Sequence, residues 1–450
     1  MATNVTVLGA ADGTVTIPVT SAANAAVAQT ALAGISLAVA AGTQSQVLVS
    51  DSGSIPGAAT AEIGLVDQSG TTAPAPLVMG NDYVSAVLDG TASQSVVTGV
   101  TPGEIVISGA AGAVVANIGT NTQVFFGGGA NTFIAVGSPV LGFAPTAQVY
   151  LDGTGQFEVS FGATTIFAGA GAAVNVIDDG DGSNTVDFVA TDPSSPVNAL
   201  VFTGTSTTAA TVNAAGAGLS VVQDGGAGLI NANDSSVTVY GLPGVGGSVT
   251  LFGGSGTDNV SDGRGWFRAG TGGGSLLASD TLAGAATLVG GSDGDTLQAF
   301  GSGDLMAAGP GRESLLGGAA PVIAIGSRDA GATTDMVGGA GGGNVFFIGD
   351  GATSITGNHG DAGGNVYVEL SSGVETADIA DFVSGVDMIS LAMPGGGSYQ
   401  LDAGAGAQLA ANQVSFSNLS IDGNLATEVQ FGDGATWTLF NAVLHPGDFI

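Results

Sequence analysis

The sequence contains no cysteine. Disulfide bonds, thiolate nucleophiles and cysteine-ligated metals are therefore excluded. A chain without cross-links must obtain its stability from packing, from stacked repeats or from bound ions. Aromatic residues are also scarce, at 6% of a chain that is 44% hydrophobic. Because small apolar side chains predominate, we expect a thin core rather than the thick core of a compact globular domain.

Positive charge is nearly absent as well. The chain has no lysine and only four arginines against 37 acidic residues, which gives a formal net charge of −33. Nothing in such a chain could neutralise phosphate groups, so nucleic acid is excluded as a partner, and so is an anionic lipid surface. Repulsion between the acids should keep an unfolded chain expanded, and divalent cations would relieve it.

The sequence also lacks a run of 18 strongly apolar residues, which argues against a transmembrane helix. Residues 22–41 are rich in alanine, but no basic residue precedes Arg264, so a conventional signal peptide is not expected. Apolar residues recur there in steps of three and four and predict a short helix, although Gly34 weakens the pattern. We expect this helix to be an end cap or a contact with a neighbouring subunit; its apolar positions are Ala25, Ala28, Leu32, Ile35 and Val39.

Glycine is abundant, with 80 residues. It punctuates short runs of four or five residues, such as 157–161 and 248–252, in which apolar side chains alternate with polar ones. Alternation with a period of two indicates strands with one buried face. A two-sheet sandwich would show similar runs, but the glycine content and the imperfect repeats favour an all-β parallel solenoid.

Between about 170 and 350 the repeats become regular. Residues 253–261 read GGSGTDNVS, and residues 290–298 read GGSDGDTLQ. They resemble the nonapeptide G-G-x-G-x-D-x-U-x of the RTX (repeats-in-toxin) family, where U is a large apolar residue. Weaker copies begin at 180, 270, 309 and 339. The resemblance implies a β-roll in which the first six residues form a turn that can hold Ca²⁺ and the last three form a short strand.

The spacing of the copies predicts how the coils stack. Aligned on their second glycine, the copies at Gly254, Gly270, Gly291 and Gly309 are 16, 21 and 18 residues apart. Two nonapeptides make 18 residues, which is one coil of a β-roll. We therefore expect these four corners to lie on the same edge of successive coils.

The resemblance also implies a cofactor. In the family, the aspartate of the motif binds Ca²⁺, a hard cation that takes several oxygen ligands. Gly274 and Gly343 occupy the aspartate position of their copies, so an unbroken calcium ladder is not expected. The alternative is that these corners are plain glycine turns whose acids cap backbone N–H groups. The candidate metal ligands are Asp258, Asp295, Glu313, Asn184 and Asp181.

The residue pattern changes near residue 366, where glycine corners give way to longer patterned strands. Residues 378–391, DIADFVSGVDMISL, resemble the I-x-D-F-x-x-G-x-D-x-I-x-L segment at the ends of RTX exoproteins. Residues 427–440 predict a hairpin, and 447–450, GDFI, also resemble the family. The resemblance implies export by a type I secretion machinery to the outside or surface of a Gram-negative cell. We predict three parts: a cap segment with a short helix at 1–50, a glycine-rich solenoid at 51–365 with RTX-like corners at 178–350, and a β-rich secretion domain at 366–450.

Catalytic patterns are sparse. There are two histidines, His359 and His445, and no H-E-x-x-H motif. Residues 290–294 fit G-x-S-x-G by letter, but they lie in an RTX-like corner with no helix after them. We therefore expect no enzyme. The alternative is a β-helix lyase or epimerase acting on anionic polysaccharide around Arg264, Trp266 and Arg268, where an arginine beside an aromatic ring could clamp a charged sugar.

These observations predict a secreted structural protein that associates with itself into a filament, a surface layer or a biofilm matrix, with calcium as a fastener. The expected partners are other copies of the chain, the secretion machinery, and cell-surface or matrix polysaccharide. A calcium-dependent adhesin is a further alternative. Solenoid ends favour self-association, because their unpaired strand edges must be capped or can template stacking.

Overall fold

The fold comes from a computed structural model. It describes residues 3–8, 14–19, 22–42, 45–50, 62–67, 77–79, 83–88, 94–108, 112–127, 129–136, 144–151, 154–159, 162–169, 172–178, 185–190, 197–203, 210–223, 228–241, 248–278, 285–292, 294–359, 363–370, 375–394, 396–402 and 409–450. The described chain divides into two compact units, Met1–Ser236 and Val237–Ile450.

The N-terminal unit contains one helix and a long series of short strands. The helix confirms the helix predicted at 22–41, and it contacts β1, which pairs antiparallel with β2. Ala25 and Ala28 are buried, as their spacing predicted. The elements are β1 (Thr3–Leu8), β2 (Thr14–Val19), α1 (Ala22–Ala40), β3 (Ser45–Ser50), β4 (Glu62–Asp67), β5 (Leu77–Val78), β6 (Tyr83–Leu88), β7 (Gln94–Val97), β8 (Ile105–Ser108), β9 (Ala113–Asn117), β10 (Thr122–Phe126), β11 (Ala130–Ala135), β12 (Thr146–Leu151), β13 (Thr154–Val159), β14 (Ala163–Ala168), β15 (Ala173–Asp178), β16 (Thr185–Ala190), β17 (Val197–Thr203), β18 (Ala210–Ala215), β19 (Ala217–Gln223) and β20 (Gly228–Asn231).

The C-terminal unit continues the same kind of element. Its strands are β21 (Ser236–Gly241), β22 (Val249–Phe252), β23 (Asp258–Gly263), β24 (Gly265–Arg268), β25 (Gly274–Ala278), β26 (Thr287–Val289), β27 (Thr296–Ala299), β28 (Leu305–Ala307), β29 (Arg312–Gly317), β30 (Ile323–Ile325), β31 (Thr333–Val337), β32 (Val345–Ile348), β33 (Ala352–Thr356), β34 (Val366–Glu369), β35 (Thr376–Ile379), β36 (Met388–Ser390), β37 (Gln400–Leu401), β38 (Gln413–Ile421), β39 (Asn424–Phe431) and β40 (Thr436–Phe440). A short 3-10 helix follows at Pro446–Asp448.

Successive strands alternate between two parallel sheets. In the middle of each unit, a strand pairs in parallel with the strand two positions further along the chain, as β10 does with β12 and β29 does with β31. In each unit, we call the sheet of the even-numbered strands (β6 to β20 and β22 to β36) sheet I, and the sheet of the odd-numbered strands (β5 to β19 and β21 to β35) sheet II. The chain is thus a parallel β-solenoid, which confirms the predicted fold class and is compatible with an RTX-like β-roll.

The core of the C-terminal unit is thin. Each short strand of sheet I from β24 to β36 has an inward residue that is at most 1% exposed: Phe267, Leu288, Met306, Ala324, Phe346, Tyr367 and Ile389. Strands β32 and β34 bury a second residue each, Ile348 and Glu369. One or two inward residues per strand are what a thin solenoid core requires, because each coil contributes only a few positions to the interior.

Glycine lets the corners of successive coils touch. A Cβ atom built on Gly270 would lie 1.6 Å from the carbonyl oxygen of Gly254, and one built on Gly291 would lie 1.6 Å from that of Gly270. The next corner repeats this contact, with Gly309 at 1.8 Å from the oxygen of Gly291. The predicted stacking of these corners on one edge is therefore confirmed, and only glycine leaves room for so close an approach.

An antiparallel hairpin completes sheet II of the C-terminal unit. Strand β40 pairs in parallel with β35, β39 pairs antiparallel with β40, and β38 pairs antiparallel with β39. The hairpin predicted at 427–440 is confirmed. The three-part division at 50 and 365 stays a prediction. Among the residues that the structure describes, no helix has both the length and the apolar character needed to span a membrane.

Candidate functional site

Three of the predicted metal ligands occupy one inward column of sheet II. Asp258 pairs in register with Gly274, and the register of the following strands places Asp295 beside Gly274 and Glu313 beside Asp295. The carboxyl groups are fully buried, at 0% exposure for Asp258 and Glu313 and 1% for Asp295. We call Asp258, Asp295 and Glu313 the acidic column. Asp181 and Asn184 lie outside the described residues, so their assignment stays a prediction.

The acids of this column hold glycine corners by hydrogen bonds. Oδ2 of Asp258 accepts the backbone N–H of Gly254 at 3.1 Å, in its own corner, and that of Gly270 at 2.9 Å, in the next coil. Asp295 accepts the N–H of Gly291 in the same way. One carboxylate thus ties two coils together, which is the backbone-capping role weighed against calcium binding above.

Glu313 is the least satisfied member of the column. Neither of its carboxyl oxygens has a hydrogen-bond partner of normal geometry, although a contact with the backbone N–H of Asp295 partly opposes the rise in its pKa, and Oδ1 of Asp258 has no partner. Burial and the neighbouring charge of Asp295 raise the pKa of Glu313 to about 8, and burial raises the pKa of Asp258. A buried carboxylate without partners is costly, so Glu313 is mostly protonated at neutral pH.

A second inward column, in sheet I, was missed by sequence reasoning. Strand register places Asp304, Asn344, Asn365 and Asp387 at the same position on their strands, each just before the first residue of β28, β32, β34 or β36. Asp304 accepts the N–H groups of Ala286 and Gly301 at 2.7 and 2.8 Å. The available signal was an Asp or Asn between a glycine corner and a three-residue apolar run.

The corner at 338–344 shows how the motif shifted. Its aspartate position holds Gly343, but the residue after it, Asn344, does the capping. The side-chain oxygen of Asn344 accepts the N–H of Gly339 at 2.8 Å, and its amide donates to Asn365 at 2.9 Å. This corner joins β31 of sheet II to β32 of sheet I, so it lies on the opposite edge from the corners at 254–309, and its capping side chain belongs to sheet I.

The N-terminal unit uses the same device. Oε2 of Glu104 accepts the N–H of Gly99 at 2.8 Å, and burial raises the pKa of Glu104 to about 7. Asn131 accepts the N–H of Ala113 at 3.1 Å. Buried polar side chains that cap the backbone between coils are therefore a property of both units.

The geometry of the acidic column does not support a calcium ladder. Buried carboxyl oxygens without partners are ligands that Ca²⁺ accepts, and the charge of Asp295 acts on Glu313. However, Gly274 contributes no side chain between Asp258 and Asp295. Within the described residues, no group of three or more His, Asp or Glu side chains could hold a metal ion. Asp295 and Glu313 could hold an ion only with help from backbone carbonyls.

His359 has partners that lie far away in the sequence. Its Nε2 lies 2.7 Å from Oδ2 of Asp387, which is buried, and its Nδ1 lies 3.7 Å from Oδ2 of Asp381. Asp387 also accepts the N–H groups of Asn365 and Val383, at 2.6 and 2.8 Å. The histidine thus completes the hydrogen bonding of a buried carboxylate and links the corner before β34 to the segment before β36.

The residues that resemble a secretion signal form a clasp in the fold. Oδ1 of Asp448 accepts the N–H of Gly385 at 2.7 Å, and Oδ2 accepts the hydroxyl of Ser384 at 2.7 Å and the N–H of His445 at 2.8 Å. The N–H of Ile450 donates to Ile389, in β36, at 3.0 Å. Residues 445–450 therefore lie along the last strand of sheet I and cover its edge.

The clasp yields a testable stability effect. Burial opposes ionisation of Asp448, but the bonds from His445, Ser384 and Gly385 lower its pKa below the usual value. Its stabilisation is present above pH 4 and is lost as the pH falls through the lowered pKa. Asp448→Asn should lower the free energy of unfolding of the C-terminal unit by about 2 kcal/mol, because charge-assisted hydrogen bonds are lost.

Urea unfolding followed by tryptophan fluorescence measures this effect, since Trp266 and Trp437 both lie in the C-terminal unit. Asp422→Asn in the turn between β38 and β39 is the matched control, because asparagine tolerates the positive φ of 53° found there. Equal midpoints for the two variants would contradict the clasp.

A buried pair of glutamates lies near the C-terminal hairpin. Glu375 accepts the indole N–H of Trp437 at 3.3 Å and is hydrogen-bonded to Glu369. Burial, the hydrogen bond to Glu369 and its charge all raise the pKa of Glu375, so the two carboxyl groups share a proton. At 1% and 2% exposure, Glu369 and Glu375 offer a substrate almost no surface to contact.

The arginine segment lies on the outside of sheet I. In β24, Phe267 points inward, Trp266 is half-buried and Arg268 is exposed. The Trp266 ring lies 5.1 Å from the ring of Phe252 on the neighbouring strand, and Phe252 is 43% exposed. An aromatic pair beside a cation could bind a sugar, but it adds no proton donor or acceptor to the site.

Comparisons of this chain with protein-family models, with curated proteins and with solved structures found no match.

Proposed function

We propose that this chain is a secreted structural protein that associates with itself into a filament, a surface layer or a biofilm matrix. The observation that carries the proposal is how the buried polar groups are used: in both units they cap the backbone between coils. Such groups build a regular scaffold, and a β-solenoid fits a structural or adhesin-like role. Export through a type I secretion machinery of a Gram-negative cell belongs to the same proposal and is supported by the sequence of residues 378–391.

Electron microscopy and sedimentation velocity of the purified full chain test the assembly. We expect concentration-dependent growth into filaments or sheets. Monodisperse monomers at every concentration, with and without Ca²⁺, would overturn self-association. Fusion of residues 366–450 to a reporter in a Gram-negative cell with a type I exporter tests export, and a reporter retained inside the cell contradicts it.

We propose in addition that Asp295 and Glu313 are ligands of one calcium ion. Binding would displace the proton that Glu313 holds at neutral pH, so affinity should rise between pH 6 and 9. Calorimetric titration with Ca²⁺ should detect a site that Glu313→Gln abolishes and the exposed control Asp335→Asn keeps. If both variants bind Ca²⁺ equally, Asp295 and Glu313 do not form the calcium site. Unchanged circular dichroism with and without chelator would show that folding does not need calcium.

The aromatic pair of Phe252 and Trp266 beside Arg268 favours a second candidate, adhesion to anionic polysaccharide. We expect alginate or pectate to bind the full chain and Arg268→Ala to weaken binding at least tenfold. Release of unsaturated products, lost in Arg264→Ala, would instead support a lyase.

A further inference from the structure

From β26 to β36, the outer face of sheet I is almost entirely apolar. Each of the six strands β26, β28, β30, β32, β34 and β36 has an inward residue flanked by two outward residues. Ten of these outward residues are apolar, and all are partly exposed. We call them the apolar face: Val289, Leu305, Ala307, Ile323, Ile325, Val345, Phe347, Val366, Val368 and Met388.

Strand register makes this face continuous. Leu305 pairs with Ile323, Ile323 with Val345, and Val345 with Val366, so the side chains stack in a column along the sheet. A second column runs beside it through Ile325, Phe347 and Val368. Only Thr287 and Ser390, at the two ends, interrupt the pattern. The outward strand residues from β26 to β36 thus include no charged side chain; Arg268 borders the face beside Val289, and Arg328 and Asp329 line a cavity with Ala307 and Ile325.

Sheet II of the same unit has the opposite character. Its outward residues include Thr296 and Gln298 in β27, Asp335 in β31 and Asp378 in β35. Parallel strands that are apolar on both sides are typical of sheets covered on both faces. Sheet I has such strands, but its outward side chains are only half-buried within the described chain. The apolar composition of this face therefore indicates that another layer covers it.

Charge narrows the choice of occupant. The chain carries a net charge of −33, so two copies repel each other across most of their surface. The apolar face contains no acid, and two copies can approach there without placing acids opposite each other. About a two-fold axis, the same face of each copy meets the other, and two sheets pack face to face at about 10 Å.

The strand edges at one end of the C-terminal unit are already covered. Residues 449 and 450 cover the edge of β36, and strands β38 to β40 extend sheet II beyond β35. Pairing with the edges of β36 and β35 is therefore blocked at that end of the unit. A sheet face needs no free edge to associate.

The size of the face sets the strength of the contact. Six strands at about 4.8 Å spacing give a length of about 29 Å, and two outward residues per strand give a width of about 12 Å. Two copies would thus bury about 700 Å² in total, less than the roughly 1,200 Å² of a stable pair. A single contact of this size is weak, and a two-fold contact closes as a pair, so growth beyond a pair requires a second contact elsewhere on the chain.

We propose that the apolar face is the docking surface for a second copy of this chain, with sheet I of one copy packed against sheet I of the other. This proposal rests on the proposed self-association and names the surface that performs it.

Sedimentation velocity of the full chain over a wide concentration range tests the surface. Wild type should associate, and the double variant Ile323→Glu with Val345→Glu should remain monomeric. The matched control places the same charges on the outward side of sheet II, as Thr296→Glu with Thr333→Glu, and should associate like wild type. The milder pair Val345→Thr and Val366→Thr keeps side-chain shape and β propensity, and should weaken association at least tenfold without unfolding the unit.

The outcomes separate the two proposals. If both apolar-face variants still associate, the apolar face is not the docking surface, but self-association itself is retained. Wild type that is monomeric throughout overturns both. Vesicles of neutral phosphatidylcholine are added in a parallel arm: binding to them that is lost in the glutamate variant, with no association of the free chain, would assign the face to a lipid surface and overturn docking of a second copy.

Discussion

Replacing Gly291 by alanine is expected to destabilise the C-terminal unit by about 3 kcal/mol, because the added carbon cannot be accommodated without moving the backbone. A Cβ at this position would lie 1.6 Å from the carbonyl oxygen of Gly270 and 2.7 Å from its carbonyl carbon. Both atoms belong to the backbone of the preceding coil, so no side-chain rotation can relieve the contact. The neighbouring coils would have to separate, and the hydrogen bonds of Asp295 and Asp258 to the corner amides would be strained.

Urea unfolding followed by tryptophan fluorescence measures this loss in the unit that contains Gly291. Gly331→Ala is the matched control, since the nearest atom to its built Cβ is Oδ1 of Asp329 at 3.4 Å. We expect the control to stay within about 0.5 kcal/mol of wild type. If Gly291→Ala and Gly331→Ala have the same midpoint, the corners do not stack as closely as described.

The C-terminal unit is also expected to be more stable at pH 5 than at pH 8, and Glu313→Gln should remove much of this dependence. The pKa of Glu313 is raised from 4.5 to about 8 in the folded state. The folded state therefore holds the proton more tightly than the unfolded state does. The contribution of Glu313 to stability is greatest below pH 4.5, falls as the pH rises to about 8, and levels off above it, and the raised pKa of Glu375 acts in the same direction. The total effect is on the order of a few kcal/mol.

Glutamine keeps the shape of the protonated acid and cannot ionise. Unfolding free energies measured between pH 5 and 9 should therefore fall for wild type and change less for Glu313→Gln. Asp335→Asn removes one charge from the exposed surface of the next coil and controls for net charge. Parallel pH profiles for wild type and Glu313→Gln would show that Glu313 is not buried as a neutral acid.

The repeat spacing predicted the coil register from Gly254 to Gly309 correctly. A second glycine recurs in the sequence wherever one corner contacts the next, so a local motif records a contact between coils. The same motif was less informative about side chains. The resemblance led us to expect acids that bind calcium. Asp258 and Asp295 also point inward and cap backbone amides. In the corner at 338–344, the capping residue is Asn344 and not residue 343, where the motif places its aspartate. The corner before Asn344 leads from sheet II to sheet I, whereas the corners before Asp258 and Asp295 lead from sheet I to sheet II, and this difference decides which sheet receives the capping side chain.

Other features depended on residues far apart in the chain. His359 and Asp387 are 28 positions apart, and neither belongs to a pattern that links them. Ser384 and Asp448 are 64 positions apart. No local periodicity encodes such pairs, because the intervening coil sets their distance.

The sequence by itself determined the class of fold, the edge on which the glycine corners stack, and the scarcity of cations. These follow from composition and short-range spacing, which act within one coil. Only the tertiary structure decided which side chains face the core, which distant acids share partners, and that the outward apolar residues gather on sheet I. Strands such as Ile323–Ile325 are apolar throughout, so their inward and outward residues can be distinguished only after neighbouring coils have stacked on them.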